Sequence, residues 1–297
     1  MQARILCADI GGSFIDFAVL DHRNALANRR KEPTPTRDFN AFLNCLHSMA
    51  APYPGVPLHI AMAGTQEPKT GALTTANIPC MDGTSFASLL NSHLKRTVRV
   101  ANDADCFVMG EAHFGVARGH DNVFGIILGT GVGGGMIWKG QLILGGGGVS
   151  GEWGHAPIIP HLPDLPNATP CFPCGCGQKG CLDTFGSARG LERLHLWNGF
   201  APCDSHSIVA AWEAGENDAT KTIDVYLNYT SAALALVINT TGATIIPVGG
   251  GLSNAHKLVS ALDHAVRKRI LHQQDAPLVV PGTLGPDAAL LGASALT

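Results

Sequence analysis

Basic residues are few and scattered in this sequence: 20 lysines and arginines stand against 23 aspartates and glutamates, and the net charge is −3 over 297 residues. Because a phosphate backbone is bound by clustered basic charge, nucleic acid is not expected as a partner. Long apolar runs are missing too, since none reaches the ~18 residues that a membrane helix needs. The N-terminus leads directly into RILCADIGG without the segments of a secretory signal. These absences predict a cytoplasmic protein with no membrane partner.

Charged residues make up only 14% of the chain, whereas 45% is hydrophobic, so the chain can bury a large core and form two domains. Apolar strand patterns alternate with helix patterns, which predicts an α/β fold. Residues 4–21 have the pattern strand, glycine turn, strand, and residues 122–140 repeat it. A third segment, 243–271, has the pattern strand, three glycines, helix, with Ser253 or Asn254 as the expected N-cap. The repeated plan predicts an internally duplicated fold.

The three glycine loops, DIGGS, LGTGVGGG and VGGGLS, suggest an anion site. Glycine lets backbone N–H groups converge on an anion, so the three loops together favour a nucleotide held between two halves. Each loop alone is equally consistent with a tight turn. Walker A and Rossmann sites are excluded, because Gly-Lys-Ser/Thr is absent and strands follow the first two loops. Asp9, at the end of the first strand, is either a Mg²⁺ ligand, directly or through water, or a turn-forming aspartate.

The segment RVANDADCF places Asn102 and Asp103 at a corner between a strand and a helix. The pair has two interpretations: a simple helix N-cap, or a polyol-binding and catalytic pair. A helix N-terminus favours the ionised form of Asp103, as a base that accepts a proton from a hydroxyl requires. In phosphoryl transfer such an aspartate orients the attacking hydroxyl. Asp103 is therefore the candidate general base.

Four of the nine cysteines lie within CFPCGCGQKGC, residues 171–181. A disulfide framework is not expected in a reducing compartment, and the other five cysteines are expected to be small buried apolar residues. The four can form a four-thiolate zinc site, or three can share zinc with His155 or His161, and spacing alone does not decide. A redox pair is less favoured, because this loop lacks a helix N-terminus that would stabilise a thiolate. Four protein ligands leave no open position, so the predicted zinc is structural.

The segments DIGG, NDAD, LGTGVGGG, GEWGH, CGCGQKGCLDT and VGGGLS, in this order, resemble the ROK (repressor, open reading frame, kinase) family of bacterial sugar kinases over nearly the whole chain. The resemblance implies an actin-like ATPase (ribonuclease H-like) fold with two α/β domains and a cleft for sugar and Mg-ATP. It implies a small domain at 1–108, joined by a C-terminal helix at 286–297, and a large domain at 109–285 with the zinc loop. A homodimer is also implied.

The family's functional positions transfer to this chain by similarity. The implied general base is Asp103. The implied sugar-binding residues are Gly64, Asn77, Asn102, Asp103, Glu152, His155 and Asp183. The implied nucleotide-binding residues are Asp9, Gly11, Gly12, Ser13, Gly129, Thr130, Gly131, Gly133, Gly249, Gly250 and Gly251. The implied zinc ligands are His155, Cys174, Cys176 and Cys181, which leaves Cys171 as an extra thiol.

The segments NDADCF, ILGTGVGGG and GGGLSN most resemble the family's N-acetylglucosamine kinases, so the implied reaction moves the γ-phosphoryl group of ATP to the sugar 6-hydroxyl. N-acetylmannosamine and glucose are the alternative substrates. A sugar sensor without catalysis is disfavoured because Asp9, Asp103 and the glycine loops are present. A repressor is disfavoured because no DNA-binding helices precede DIGG.

Three features depart from the family pattern or are unusual. Phe14 stands where the family usually has lysine, which removes a cation from the first loop. Asp183 stands where glutamate is usual and is one methylene shorter. The loop GGGGVSG, residues 145–151, has almost no side chains; it either leaves room for an N-acetyl group or is simply flexible.

Overall fold

The computed structural model describes residues 3–75, 77–158, 170–272 and 274–296. The predicted alternation of strands and helices is confirmed. The strands are β1 (Ala3–Ile10), β2 (Phe14–Asp21), β3 (Leu26–Pro33), β4 (Leu58–Met62), β5 (Thr65–Gln66), β6 (Leu73–Thr74), β7 (Val98–Asn102), β8 (Val123–Leu128), β9 (Val132–Trp138), β10 (Gln141–Leu142), β11 (Ile246–Gly249) and β12 (Val279–Pro281). The α-helices are α1 (Phe39–Ala50), α2 (Phe86–Leu94), α3 (Asp103–His113), α4 (Asp183–Gly186), α5 (Ala188–Trp197), α6 (Ser205–Glu213), α7 (Asn217–Thr241), α8 (His256–Arg267) and α9 (Ala288–Ser294).

Two five-stranded sheets share one topology. The first has the order β3-β2-β1-β4-β7 and the second the order β10-β9-β8-β11-β12. In each, three antiparallel strands at one side continue into two parallel strands. A third sheet pairs only β5 with β6. The predicted internal duplication is therefore present in the backbone topology.

Both predicted glycine hairpins form where the sequence places them. In the first, Ile10 pairs with Ile15, and the Gly11 N–H donates to the Phe14 carbonyl oxygen at 3.0 Å. In the second, Leu128 pairs with Val132 across a shorter turn. Near-continuous apolar runs explain β1 and β8, because each of these strands is buried on both faces.

The prediction that Ser253 or Asn254 caps α8 is wrong. The helix begins at His256, and Ala255 stands at the N-cap without a side-chain hydrogen bond. Ser253 and Asn254 lie in a preceding 3₁₀ turn, Gly251–Asn254, where their side chains donate to the Gly250 and Gly251 carbonyl oxygens. The side chains of Ser253 and Asn254 are thus hydrogen-bonded within the third glycine loop and do not cap the helix.

Each large sheet carries its own apolar core. The first core includes Leu6, Phe42 and Phe86, and the second includes Phe185 and Tyr226. Helix α9 packs on the first sheet through Leu290, although it is the last helix of the chain. The domain limits at residues 108 and 285 stay a prediction.

The cysteines outside the cluster differ in burial. Cys7 and Cys106 are fully buried, as expected, whereas Cys45, Cys80 and Cys203 are half-buried against the edges of the cores. Among the described residues, no helix combines the length and the apolar character that crossing a membrane requires.

Candidate active site

A cavity of about 490 Å³ is lined by both halves of the molecule. It lies beyond the carboxyl ends of the parallel strands β4 and β7, the edge where open α/β sheets bind ligands. All seven residues predicted to bind sugar line it: Gly64, Asn77, Asn102, Asp103, Glu152, His155 and Asp183. It is also lined by Gly129, Thr130, Gly131 and Gly133 of the second glycine hairpin. The structure thus brings the predicted sugar-binding residues and this hairpin into one cavity.

The corner between β7 and α3 is held by Asn102, the N-cap of the helix. Its Oδ1 accepts a hydrogen bond from the Ala104 backbone N–H at 2.8 Å, and its Nδ2 donates to the Gly64 carbonyl oxygen at 2.9 Å. Gly64 has a φ of +148°, and a Cβ there would collide with the Thr74 carbonyl oxygen. Asn102 therefore caps the helix, as the first interpretation predicted, and it also lines the cavity while it fixes the backbone beside Asp103; polyol binding stays a prediction.

Asp103 is the first residue of α3, and its Oδ1 accepts a hydrogen bond from the Ala104 N–H at 2.9 Å. Burial raises its pKa, that hydrogen bond opposes the rise, and the negative charge of Glu152 adds to it. Desolvation outweighs the hydrogen bond in setting the direction of the pKa, and the ionised state of Asp103 stays a prediction. A raised pKa makes the ionised carboxylate a stronger base toward a hydroxyl.

One ligand atom from each of His155, Cys174, Cys176 and Cys181 can be chosen so that all four lie within 4.8 Å of one another. Cys174 Sγ is 3.5 Å from His155 Nδ1, and Cys176 Sγ is 3.7 Å from Cys181 Sγ. Around tetrahedral zinc, thiolates at ~2.3 Å from the metal lie ~3.8 Å apart. The donor set and its spacing fit zinc. Cys171 lies outside this group, half-buried against the second core.

The thiols of this cluster differ in acidity. The Gln178 backbone N–H is the main cause that lowers the pKa of Cys176 to about 7, whereas burial raises the pKa of Cys181 to about 12. A metal binds the thiolate, so a buried thiol such as Cys181 ionises at neutral pH only with a cation beside it. His161, the other histidine weighed as a ligand, lies outside the described residues.

His155 connects the cysteine cluster to the cavity. Its Nδ1 faces Cys174, and its Nε2 lies 3.9 Å from Oε2 of Glu152. The Sγ of Cys174 also lies 4.0 Å from Oδ2 of Asp183. A cation held through Nδ1 would fix the imidazole ring while Nε2 faces Glu152 at the cavity wall.

Asp183 has a contact that sequence reasoning missed. Its Oδ1 accepts a hydrogen bond from the Val132 N–H at 2.8 Å, and the Ala188 N–H donates to the Gly129 carbonyl oxygen at 2.8 Å. A Cβ on Gly131 would lie only 2.8 Å from Asp183 Oδ1, so glycine permits this close approach. The segment that begins α4 therefore holds the second glycine turn, and the nearby residue types carried no signal of this pairing.

The third glycine loop lines a second cavity, of about 330 Å³, through Gly249, Gly250 and Gly251. A Cβ placed on Gly129 would lie 3.8 Å from the Gly250 Cα, so the second and third loops touch. Gly250 has a φ of +82°, and any Cβ there would collide with the Leu128 backbone. The second glycine loop, which lines the larger cavity, and the third, which lines the smaller one, are therefore in close backbone contact.

The first glycine loop, Gly11 to Ser13, lines neither of these cavities. It contacts the wall of the larger one, because a Cβ on Gly12 would lie 3.0 Å from Asn77 Cβ. Asp9, which precedes this loop, has a pKa raised to about 6, chiefly by burial and then by the charges of Asp103 and Asp16. The interaction shows that Asp9 lies within electrostatic reach of the cavity's aspartate.

The cation missing at Phe14 is present on the neighbouring strand. The Nζ of Lys31, on β3, lies 4.7 Å from the centroid of the Phe14 ring. Lys31 also lowers the pKa of Asp9 through its charge. Sequence reasoning missed Lys31, because only the β2–β3 register brings it beside the first loop.

Comparison with known proteins agrees with this geometry. The sequence profile of the ROK family matches residues 5–297. An N-acetyl-D-glucosamine kinase of Aliivibrio salmonicida (strain LFI1238) is 31% identical over 294 residues, which cover 97% of this chain and 97% of that protein. An N-acetylgalactosamine kinase, AgaK, of Shewanella sp. (strain ANA-3) is 32% identical over 293 residues, which cover 97% of this chain and 94% of that protein.

A crystal structure of a ROK hexokinase from Thermus thermophilus has a TM-score of 0.83 at 27% identity and covers 98% of this chain and 96% of that one. Its fold and the duplicated sheets confirm the predicted actin-like ATPase fold with two α/β domains and an interdomain cleft. The profile match and the named relatives confirm the predicted kinase class. The chain therefore belongs to the ROK family and is an ATP-dependent sugar kinase.

Proposed function

We propose that this kinase phosphorylates the 6-hydroxyl of N-acetyl-D-glucosamine, with Asp103 as the general base. The observation that carries the proposal is the position of Asp103, which lines the cavity together with six other polar or glycine positions of the predicted sugar site. Its carboxylate would accept the hydroxyl proton while the hydroxyl oxygen attacks the γ-phosphorus and ADP leaves. The raised pKa of Asp103 supports this role.

The nucleotide would lie across the contact between the second and third glycine loops. Its base and ribose would occupy the cavity beside Gly249 to Gly251, and its phosphates would point past Gly129 to Gly131 toward the sugar. Asp9 would hold Mg²⁺, directly or through water, and its carboxyl oxygens are the ligands that this ion prefers. Bound Mg²⁺ supplies neutralisation of phosphate charge.

Zinc would be structural, held by His155, Cys174, Cys176 and Cys181. It would fix the His155 ring and the loop that carries Cys174, and thereby set the positions of Glu152 and Asp183 at the sugar cavity. The metal supplies no step of the reaction, because four protein ligands leave no open coordination position. A homodimer remains a prediction from the family resemblance.

The sugar assignment is supported by relatives named N-acetyl-D-glucosamine kinase at 31% identity. A second candidate is N-acetyl-D-galactosamine, because the Shewanella relative at 32% identity is named for that activity. Both sugars carry a 2-acetamido group and differ at carbon 4. The two candidates therefore predict different relative kcat/KM values for the two sugars. Both require a site that accommodates the acetamido group.

The test of the substrate is an assay of ADP release across six sugars: N-acetylglucosamine, N-acetylgalactosamine, N-acetylmannosamine, glucose, fructose and allose. We expect the highest kcat/KM with N-acetylglucosamine and a ³¹P NMR coupling that places the new phosphate on carbon 6. A higher kcat/KM with any of the other five would overturn the substrate assignment.

The test of the base is Asp103→Asn. Turnover should fall at least ~10²-fold, the lower end of what a positioned base contributes, while calorimetry still detects sugar binding. Asp38→Asn is the matched control, because Asp38 caps α1 and is not among the residues that line the cavity, and asparagine caps equally well. Turnover of Asp103→Asn within tenfold of the wild type would remove Asp103 from this role.

A further inference from the structure

The last aspartate of the NDAD motif, Asp105, has a carboxyl oxygen without a hydrogen-bond partner among the residues that the structure describes. Its side chain belongs to the first turn of α3, and the residue is only 3% exposed. Its Oδ1 is fully buried and forms no hydrogen bond with any described residue. Most buried polar atoms in folded proteins have a partner, and leaving one unmet costs ~1–3 kcal/mol. A ligand that reached Asp105 would therefore satisfy a buried oxygen that no described residue satisfies.

The surroundings of Asp105 favour its neutral form. Burial raises its pKa to about 8, and the negative charges of Glu152 and Asp103 add to the rise. The raised pKa favours the protonated carboxyl, which offers one O–H donor together with an acceptor oxygen. A neutral acid of this kind complements a carbonyl oxygen or an amide rather than a charged ligand.

Asp105 lines a separate cavity of about 220 Å³ beside the sugar cavity. Asn102 lines both, so the two cavities adjoin at the corner that positions Asp103. The segment GGGGVSG, residues 145–151, forms part of the wall. Its Gly148 has a φ of +73°, and a Cβ there would collide with the Gln66 carbonyl oxygen. The absence of side chains at this loop thus lets it close directly against the segment that follows Gly64.

The lining of the cavity has two chemical characters. Val100, Ala101 and Leu144 form an apolar part, while Gln66, Glu67 and Asp105 supply polar groups. None of its described lining residues is a lysine, arginine or histidine. An anionic group would find two acids and no basic side chain among these residues, so a phosphate or carboxylate ligand is disfavoured. A small neutral group with one polar and one apolar end matches the lining.

We propose that this cavity receives the 2-acetamido group of the sugar and that the Asp105 carboxyl donates a hydrogen bond to the acetamido carbonyl oxygen. The acetamido methyl packs against Leu144 and Val100. The inference rests on the proposed function and deepens it, because it assigns to one side chain the preference for N-acetylated sugars over glucose. It applies equally to N-acetylglucosamine and N-acetylgalactosamine, which share this group.

The experiment compares Asp105→Ala and Asp105→Asn with the wild type in steady-state assays. Asp105→Ala removes the donor, and the KM for N-acetylglucosamine should rise at least ~10-fold with kcat within ~3-fold, the pattern of a lost binding contact. Asp105→Asn keeps an N–H donor, and its KM should stay within ~3-fold. The kcat/KM for glucose, which lacks the acetamido group, should be unchanged in both variants.

Asp105→Leu is a second test variant, because leucine removes the buried oxygen that lacks a hydrogen bond. It should melt no lower than the wild type and still show the raised KM for N-acetylglucosamine. An unchanged KM in the alanine or leucine variant, or an equal loss with glucose and N-acetylglucosamine, overturns the inference. Failure of the proposed function is distinguishable, because the wild type itself would then show a higher kcat/KM with another sugar than with N-acetylglucosamine.

Discussion

The two glycine hairpins, β1–β2 and β8–β9, occupy the same place in sheets of the same topology, yet they carry different chemistry. One residue before the closing pair, the first hairpin has Asp9 opposite Asp16. At the corresponding position the second hairpin has Ile127 opposite Gly133. The duplicated turns can both approach phosphate with backbone N–H groups, but only the first presents a carboxylate. The two hairpins thus share a backbone arrangement and differ in the charge of the residues at this position.

The two turns are also held in different ways. The first is held from nearby in the sequence, since the hydroxyl of Thr34, the residue after β3, donates to the Gly11 carbonyl oxygen at 2.7 Å. The second is held by Asp183, which accepts from the Val132 N–H across 51 positions of sequence. Because Asp183 also lies beside Cys174, the second turn is coupled to the cysteine cluster, whereas the first is not.

Removing the charge that distinguishes the first hairpin should have the largest effect. We expect Asp9→Asn to lower kcat at least ~100-fold, because a metal ion that neutralises phosphate contributes several kcal/mol to the transition state. The Mg²⁺ concentration needed for half-maximal rate should rise as well. Steady-state kinetics across a Mg²⁺ series measure both, with Asp38→Asn as the control. A wild-type Mg²⁺ dependence in Asp9→Asn would exclude this carboxylate as the metal site.

The same carboxyl predicts a pH dependence of stability. Its pKa is raised from 3.8 to about 6, so the folded protein binds the proton more tightly than the unfolded chain does. The stability that this group contributes is present at low pH and is lost as the pH rises through 6. Asp9→Asn should therefore melt higher than the wild type at pH 7.5, and the difference should narrow at pH 5. Calorimetric melts at the two pH values check the sign.

The next largest effect should come from disrupting the cysteine cluster, which among the described residues belongs to the second half alone. Cys176→Ser should lose the bound zinc, and the KM for sugar should rise ~10-fold, because groups that orient metal ligands and their neighbours typically matter at the 10–100-fold level. Cys171→Ser is the matched control and should retain one zinc per chain by metal analysis. If the Cys171 variant lost its zinc and a variant without His155 kept it, the proposed ligand set would be wrong.

The smallest effects should come from the hydrogen bonds that hold the turns. Asp183→Ala removes a charged acceptor and should lower the free energy of unfolding by ~1.5–3 kcal/mol, whereas Thr34→Val removes a neutral bond and should cost ~0.5–1.5 kcal/mol. Only the first should also raise the KM for sugar, because Asp183 lines the cavity and Thr34 does not. Urea unfolding and kinetics of the two variants measure this. Equal losses of stability would contradict the distinction between local and distant support.

The sequence predicted the local parts of the site well. The glycine hairpins and the corner at Asn102 are set by residues adjacent in the chain, so pattern and spacing were sufficient. The N-cap of α8 was wrong because the third loop forms a 3₁₀ turn first. The effect of burial on the pKa of Asp103 was missed because desolvation depends on residues packed from elsewhere. Lys31 beside Phe14 was missed because a register between strands brings them together.

The sequence by itself determined the order of the elements, the family, and the residue types available for sugar, nucleotide and metal. Those properties depend on short-range pattern and on side-chain chemistry, which can be read along the chain. Only the tertiary structure decided which of these residues share a cavity, that Asp183 anchors the second turn, and that Oδ1 of Asp105 is buried without a hydrogen bond from any described residue. The reason is physical: burial, hydrogen bonding and electrostatic coupling depend on distances between segments far apart in sequence, and folding alone sets those distances.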